Sequence, residues 1–300
     1  MRLAMTSIAL LVGCTSPAST TDTTSLPTPP SLLPTGPHYR YVIDHVTLPI
    51  TPQPGNAFAT GLASLANAGF DVQGAMDRAL ADGSIILLVD LQADDLADST
   101  ASVGILAGAQ PSPSPCTAPD DTVCGHHLDG TGSFVTTTFA PSLPVDPPLL
   151  GSIGSGALAA HGQTQMFELA LFGNLRLVVQ LGDVLITTST VTPSALDLHL
   201  SALVSEYAWD DHSLLSIAGG LAFELPEMVA RDCTSPATPP GCGCTAGSLG
   251  EQLLAYFAPG ACTITSYDID TSPLHPPDDS QYNGGAFTFG VDLTAVPATF

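Results

Sequence analysis

The chain contains no lysine. Its only strong cations are five arginines (Arg2, Arg40, Arg78, Arg176 and Arg231), set against 28 acidic residues, for a formal net charge of -23 over 300 residues. Without lysine, a Walker A phosphate loop, a protein-kinase site and a pyridoxal Schiff base are excluded, because each chemistry needs that amine. The shortage of positive charge likewise excludes nucleic acid as a partner, since binding it requires clustered basic side chains that release counterions. Charged partners, if any, are expected to be cations. No G-x-S-x-G or H-E-x-x-H motif occurs, and the glycine-rich GSIGSG at 151–156 lacks the G-x-G-x-x-G order, so it marks a bend between strands. What remains is 44% hydrophobic residues, enough for one sizeable core or two small ones.

Near the amino terminus, Met1 and Arg2 form a minimal positive region before the apolar LAMTSIALLVG. A run of about ten residues suits a signal peptide and is too short to span a bilayer. It ends in Leu11-Val12-Gly13-Cys14, which resembles the lipobox of bacterial lipoproteins. The resemblance covers residues 1–14 and implies removal of residues 1–13, acylation of Cys14 (palmitate among the chains), and membrane attachment through that lipid. By similarity with Gram-negative lipoproteins, Thr15 in place of aspartate implies the outer membrane. Residues 14–37 then read as a lipidated cysteine and a Ser/Thr/Pro-rich tether, too poor in apolar side chains to fold. Setting Cys14 aside leaves six cysteines, an even number that suits disulfides in an exported domain.

Residues 38–300 read as a single α+β domain. YRYVIDHVTL (39–48) is strand-like. Phe58, Leu62 and Leu65, then Val72, Met76 and Ala79 with Leu80, recur at helical spacing, and Gly83 fits a helix C-terminus. SIILLVDLQ (84–92) reads as a strand buried on both faces, with ASVGILAG (101–108) as its antiparallel neighbour. Between about 164 and 205, four apolar runs are separated by Gly173-Asn174, Gly182-Asp183 and Pro193-Ser194, a pattern that predicts an antiparallel β-meander of four strands. With this register Glu168, Ala170 and Phe172 share a face with Leu175, Leu177 and Val179, joined by Val184 and Ile186. Phe167, Leu169, Leu171, Val178 and Leu185 lie on the other, diluted by Arg176 and Gln180. Both faces are apolar enough to be covered, or one could line a cavity.

Beyond the meander, residues 207–270 form a helical, cysteine-rich subregion. Leu214, Leu215, Ile217, Ala218, Leu221, Leu225, Met228 and Val229 predict one helix, with Asp210 and Asp211 as candidate caps. SLGE (248–251) is a capping box opening a second helix. The closing GAFTFGVDLTAVPATF alternates like a returning strand. Cys116 and Cys124 most simply pair with each other. Of Cys242 and Cys244, one should bond Cys233 and the other Cys262, with the choice left open by the sequence. Four cysteines could also hold zinc, but the spacing lacks paired C-x-x-C motifs.

Candidate chemistry is sparse. FAPGACTITSYD (257–268) resembles a decayed EF-hand or dockerin calcium loop, with Phe257, Pro259 and Ala261 at ligand positions and Asp268 at the twelfth. Asp278, Asp279 and Asn283 offer hard oxygen ligands for calcium, although such a cluster also makes an ordinary solvated turn. His126-His127 could ligate a transition metal, although a histidine pair beside a disulfide loop reads more simply as exposed. Asp94-Asp95 and Asp120-Asp121 are surface carboxylates unless the fold brings partners together. No catalytic residue and no obligate cofactor emerges. The expectation is therefore a membrane-anchored, exported lipoprotein with a non-enzymatic binding or structural role in the cell envelope. Two alternatives remain open: a carrier of apolar, lipid-like ligands lined by Phe167, Leu169, Leu171 and Val178, and a secreted hydrolase using two carboxylates.

Overall fold

The computed structural model describes residues 33–118, 121, 123–139, 145–173, 175–205, 208–209, 216–234, 242–276 and 286–300. It is an α+β fold dominated by antiparallel strands and held by three disulfides. The strands are β1 (His38–Thr47), β2 (Leu87–Ala93), β3 (Asp98–Ser112), β4 (Ser133–Thr137), β5 (Leu149–Gly154), β6 (Ala157–Phe172), β7 (Leu175–Thr188), β8 (Val191–Thr192), β9 (Ala195–Val204) and β10 (Phe287–Pro297). The helices are α1 (Ala57–Asn67), α2 (Val72–Ala81), α3 (Ile217–Asp232), α4 (Leu249–Phe257) and α5 (Ser266–Asp270), with a 3-10 turn at His126–Leu128.

Following the pairings in order, β1, β2, β3, β5, β6, β7, β9 and β10 each lie antiparallel to the next, and β10 pairs with both β9 and β1. The meander therefore closes into a barrel. Period-2 alternation explains why: Leu196, Leu198, Leu200 and Val204 on β9, and Phe287, Phe289, Val291 and Leu293 on β10, all turn inward and are buried. The intervening Asp197, His199, Asp292 and Thr294 face out. An eight-stranded ring is just wide enough for side chains to fill it, and closure removes the exposed edges of an open sheet. Closure is what covers the apolar inner face, so neither a second sheet nor a helical layer is needed there.

The ring is complete only around its waist. β1 ends at Thr47, opposite Asp292, so residues 287–291 of β10 have no β1 partner. There α1 fills the wall: Asn56 caps the helix with its Oδ1 and donates Nδ2 to the Gly290 carbonyl at 2.9 Å, while Ala57 N–H reaches the Thr288 hydroxyl at 2.8 Å. Phe58, Leu62 and Leu65 pack inward, Phe58 against Phe289 with ring centroids 5.1 Å apart. Helix α2 touches both β1 and β6, which stand opposite each other in the ring, so it lies across the mouth. Its Val72, Met76, Ala79 and Leu80 are buried, and it ends as the sequence indicates, at Asp82 with left-handed Gly83 behind it.

The two ends of the barrel differ. The chain enters at His38, at the end that also carries the turns β2–β3, β5–β6 and β8–β9, including Ser155 and Gly156 with positive φ in the GSIGSG stretch. Helices α1 and α2, and α3 to α5, emerge at the opposite end. Between β3 and β5 the chain forms a flap, described at residues 113–118, 121 and 123–139, stapled by Cys116–Cys124 and folded back over the outside of the wall β10–β1–β2–β3. Beneath it lies a second small core of Val42, Ile86, Leu88 and Phe134, flanked by Leu106, Leu128, Val296 and Phe300. That core is why β2 is buried on both faces.

Three sequence expectations are corrected. Gly182-Asp183 is not a hairpin turn: β7 runs through it as one strand, with Asp183 at φ 45° in a bulge where the register with β9 shifts. The true turns are at Gly173 and between β8 and β9. A second bulge, between Ala170 and Phe172, reverses the assumed faces, so that Phe167 opposes Val179 and Leu169 opposes Leu177 inside the barrel, while Glu168 and Ala170 face out toward Val178 and Arg176. Helix α3 starts at Ile217 behind Ser216, whose Oγ accepts the Gly219 N–H at 3.0 Å. Asp210, Asp211, Leu214 and Leu215 lie outside the described residues. The remaining disulfides are Cys233–Cys244, behind α3, and Cys242–Cys262, which spans α4.

Candidate functional site

The densest buried polar arrangement lies in the wall between β3 and β6. Strand β5 begins at Leu149, opposite Val103, and β4 leaves β3 at Ala107, so the peptide of Ile105 has neither as a partner. Gln165 of β6, 1% exposed, fills the gap with its carboxamide, donating to the Ile105 carbonyl at 2.8 Å and accepting its N–H at 3.5 Å. Asp146, just before β5, accepts the Met166 N–H at 2.6 Å and Gln165 Nε2 at 3.3 Å. Three residues along β6, on the outer face, Glu168 is buried and pairs with Arg176 Nε at 3.3 Å, while the Arg176 guanidinium also donates to the Ser84 carbonyl. On the free edge of β6, the Ala170 N–H points to Met76 Sδ at 3.4 Å.

Burial pushes both carboxyls up: Asp146 against the opposing pull of the Met166 N–H, and Glu168 against the opposing charge of Arg176. Two acids with raised pKa values are what a carboxylate hydrolase would require. The surroundings do not supply the rest. Asp146 Oδ2 is committed to two donors, and the groove above it, lined by Ile105, Phe139, Val145 and Met166, holds almost no open volume. Glu168 lines none of the described clefts. What this cluster does chemically is satisfy the backbone where the wall lacks a strand.

Two open clefts exist among the described residues. One, of about 420 Å³, lies between the β6–β7 hairpin and helices α3 and α4, lined by Gly173, Leu175, Glu224, Met228, Arg231 and Leu249. The other, of about 300 Å³, is a trough on the outer wall where His199 Nδ1 meets Asp292 at 2.7 Å beside Asp197 and Thr294. These polar residues arise simply as the outward-facing alternates of β9 and β10.

The residues singled out in the sequence are scattered. Cys14, Asp278, Asp279, Asn283 and Asp120 lie outside the described residues. Asp95 is exposed and caps the β2–β3 turn through Ala97 and Asp98 N–H groups, with Asp94 exposed beside it. Asp121 organises the Cys116–Cys124 loop: hydrogen bonds from Thr117 and Val123 hold its carboxyl down at about 2. In the calcium-like loop Asp268 is consumed by a capping box with Thr265, and Ile264 is buried. Glu251 of SLGE reaches one residue further back than a capping box would, accepting from Gly247 N at 2.6 Å. Phe167, Leu169 and Leu171 are packed inside the barrel, and Val178 is on its outer face. His126-His127 needs correcting: His126 is exposed, but His127 is wholly buried against Phe134. Gln165 and Asp146 were not foreseen, and no local signal marks them, because their role depends on where β5 happens to begin. Among the described residues no group of three or more His, Cys, Asp or Glu converges as metal ligands, and no described helix is long and apolar enough to cross a membrane. Compared with protein-family models, curated proteins and solved structures, the chain matches none.

Proposed function

We propose that the protein is an exported lipoprotein, tethered through an acylated Cys14 to the outer membrane of a Gram-negative cell, whose folded domain is a non-enzymatic binding or structural component of the envelope. The observation that carries this reading is Leu11-Val12-Gly13-Cys14 at the end of a short apolar run, followed by a Ser/Thr/Pro-rich stretch that leads to β1. The fold is consistent with it. Three disulfides suit an oxidising compartment. The outward positions of β9 and β10 carry Asp197, His199, Asp292 and Thr294, as a water-facing wall should; a lipid-facing wall would need an apolar band. Because the tether joins the barrel at the end opposite the helices, α1 to α5 and the 420 Å³ cleft would be held away from the membrane surface.

The alternative of an apolar-ligand carrier draws no support from its own residues, since Phe167, Leu169 and Leu171 are core side chains. The test is intact mass spectrometry of the membrane-extracted protein, with Cys14→Ser as the comparison. An acylated chain beginning at Cys14, and a Cys14→Ser variant released from the membrane, is the expected result. An unacylated mature terminus at any other residue overturns the reading.

A further inference from the structure

His127 is 0% exposed, and neither ring nitrogen makes a hydrogen bond of normal geometry. A neutral imidazole always carries one N–H donor, so this side chain is held in place with that donor at best weakly bonded, to the Leu80 carbonyl. Its position explains what a full bond is exchanged for. His127 sits at the root of the flap, where Pro115, Gly125 and His127 itself lean on the last turn of α2 at Ala81 to Gly83. Its ring meets Phe134 edge-on at 6.0 Å, and its backbone carbonyl lies against Gly132. Phe134 and Gly132 in turn hold the end of the chain: Phe134 N–H donates to the Thr299 carbonyl at 2.9 Å, and Thr299 N–H donates to Gly132 at 3.0 Å. One buried imidazole thus connects α2, the flap and residues 298–300.

We propose that His127 is the pin of an acid-released flap: protonation of its ring frees residues 113–118, 123–139 and 298–300 from the barrel wall and uncovers the outward apolar side chains Val42, Ile86, Leu88 and Val296. The charged form has little to rest on. Burial, the largest influence, holds the ring's pKa below its ordinary 6.5, and His126 alongside adds to this; the Asp82 carboxylate at the end of α2 and the Leu80 carbonyl pull the other way without winning. The other ionisable groups nearby are already engaged. Asp121 is bound to Thr117 and stands 4.0 Å from His126, and Asp129 is bound to Thr131. On β1, Arg40 is turned toward Asp90 and the Phe300 carbonyl, and His45 toward Asp77 of α2. For a base whose folded pKa is depressed, the unfolded or released form binds more protons. The flap's stability is therefore complete above 6.5 and falls as pH drops from there toward the lower folded value.

The experiment is amide hydrogen exchange on the full domain at pH about 7.5 and about 5, corrected for intrinsic rates, reading peptides that contain Phe134 and Thr299 against Leu200 in β9. Protection of the flap peptides should fall by about tenfold or more in acid while Leu200 is unchanged. The loss should vanish in His127→Phe and persist in His126→Gln. Equal protection at both pH values, or an acid response that survives in His127→Phe, overturns the proposal. Should His127→Phe fail to fold, the proton NMR titration of His127 in the unmodified protein decides: a midpoint below the ordinary 6.5 supports the pin, and one at or above it rules it out.

Discussion

Across the wall of the barrel, the side chain of Gln165 stands in for a strand: its amide nitrogen donates to the Ile105 carbonyl at 2.8 Å and its oxygen receives the Ile105 N–H at 3.5 Å. Leucine has a similar volume and neither group. Gln165→Leu should leave a buried donor and acceptor unpaired, at a cost of about 2 kcal/mol, seen as a lower urea midpoint with an unchanged slope. Gln165→Glu should be worse at neutral pH, because it sets a second carboxylate against Asp146, and should recover part of the loss in acid.

Glu168 and Arg176 make a different kind of pair, with the carboxylate buried and the guanidinium half exposed. Removing the cation by Arg176→Met strands a buried charge. Loss of one partner from a fully buried pair costs about 3–5 kcal/mol, so about 2 kcal/mol is expected for this half-exposed one. Burial already holds the Glu168 carboxyl above its ordinary 4.5, which means the folded form binds its proton more readily than the unfolded form does. Stability from this group therefore rises as pH falls through the folded value toward 4.5, and Arg176→Met should steepen that rise. Thermal melts of both proteins across the acidic range would reveal it, and parallel curves would contradict it.

Much of this fold was legible in advance, for identifiable reasons. Helices α1 and α2 announce themselves because Phe58, Leu62, Leu65 and Val72, Met76, Leu80 face one environment each, and period carries that information. Barrel closure did not, because alternation reports that a strand has an inside and an outside, not which strand its far edge meets. The faces of β6 were inverted by a single residue: a bulge at Leu171 shifts the register, and every side chain behind it changes side. Gly182-Asp183 has turn chemistry because Asp183 does adopt positive φ, yet the strand continues on both sides of it. As for the seam, Gln165 reads as an ordinary polar residue in an apolar run. Its partner lies 60 positions away on a strand whose neighbour ends early. His127 was misread because a histidine's surroundings depend on the flap's path, which its own sequence does not specify.

The disulfides Cys233–Cys244 and Cys242–Cys262 join residues 11 and 20 positions apart and interleave in sequence, the second reaching across α4 to the stretch before α5. Loop-closure entropy alone assigns about 3 kcal/mol to the longer one. Cys242→Ala with Cys262→Ala should lower stability by about that amount and increase proteolysis around α4 first, leaving β9 amides protected. Thiol labelling of the denatured, unreduced domain from residue 38 onward should find no free cysteine. Two or more reactive thiols would show that at least one of the three bonds does not form.

At the entry end of the barrel, Tyr41 is 1% exposed and donates its hydroxyl to the Thr192 carbonyl at 2.8 Å, fastening the β8–β9 turn across the opening. Burial pushes its phenol up to about 12, with Tyr39 adding to the effect. A phenol whose folded pKa is raised stays protonated in the fold, so its contribution is fully present below the ordinary value of 10 and is lost as pH climbs from there toward 12. Of the six tyrosines, Tyr267 is 72% exposed, and Tyr256 is also pushed up by burial. An ultraviolet phenolate titration should accordingly show a late step, carried by Tyr41, that coincides with loss of the barrel's circular-dichroism signal. Tyr41→Phe should cost about 1 kcal/mol at neutral pH for the missing hydrogen bond, yet move the alkaline unfolding midpoint upward, because the group that drives it has gone. An unchanged midpoint, or a Tyr41 that ionises near the ordinary value of 10, would show that the entry end is open to water and that the turn is held by something else.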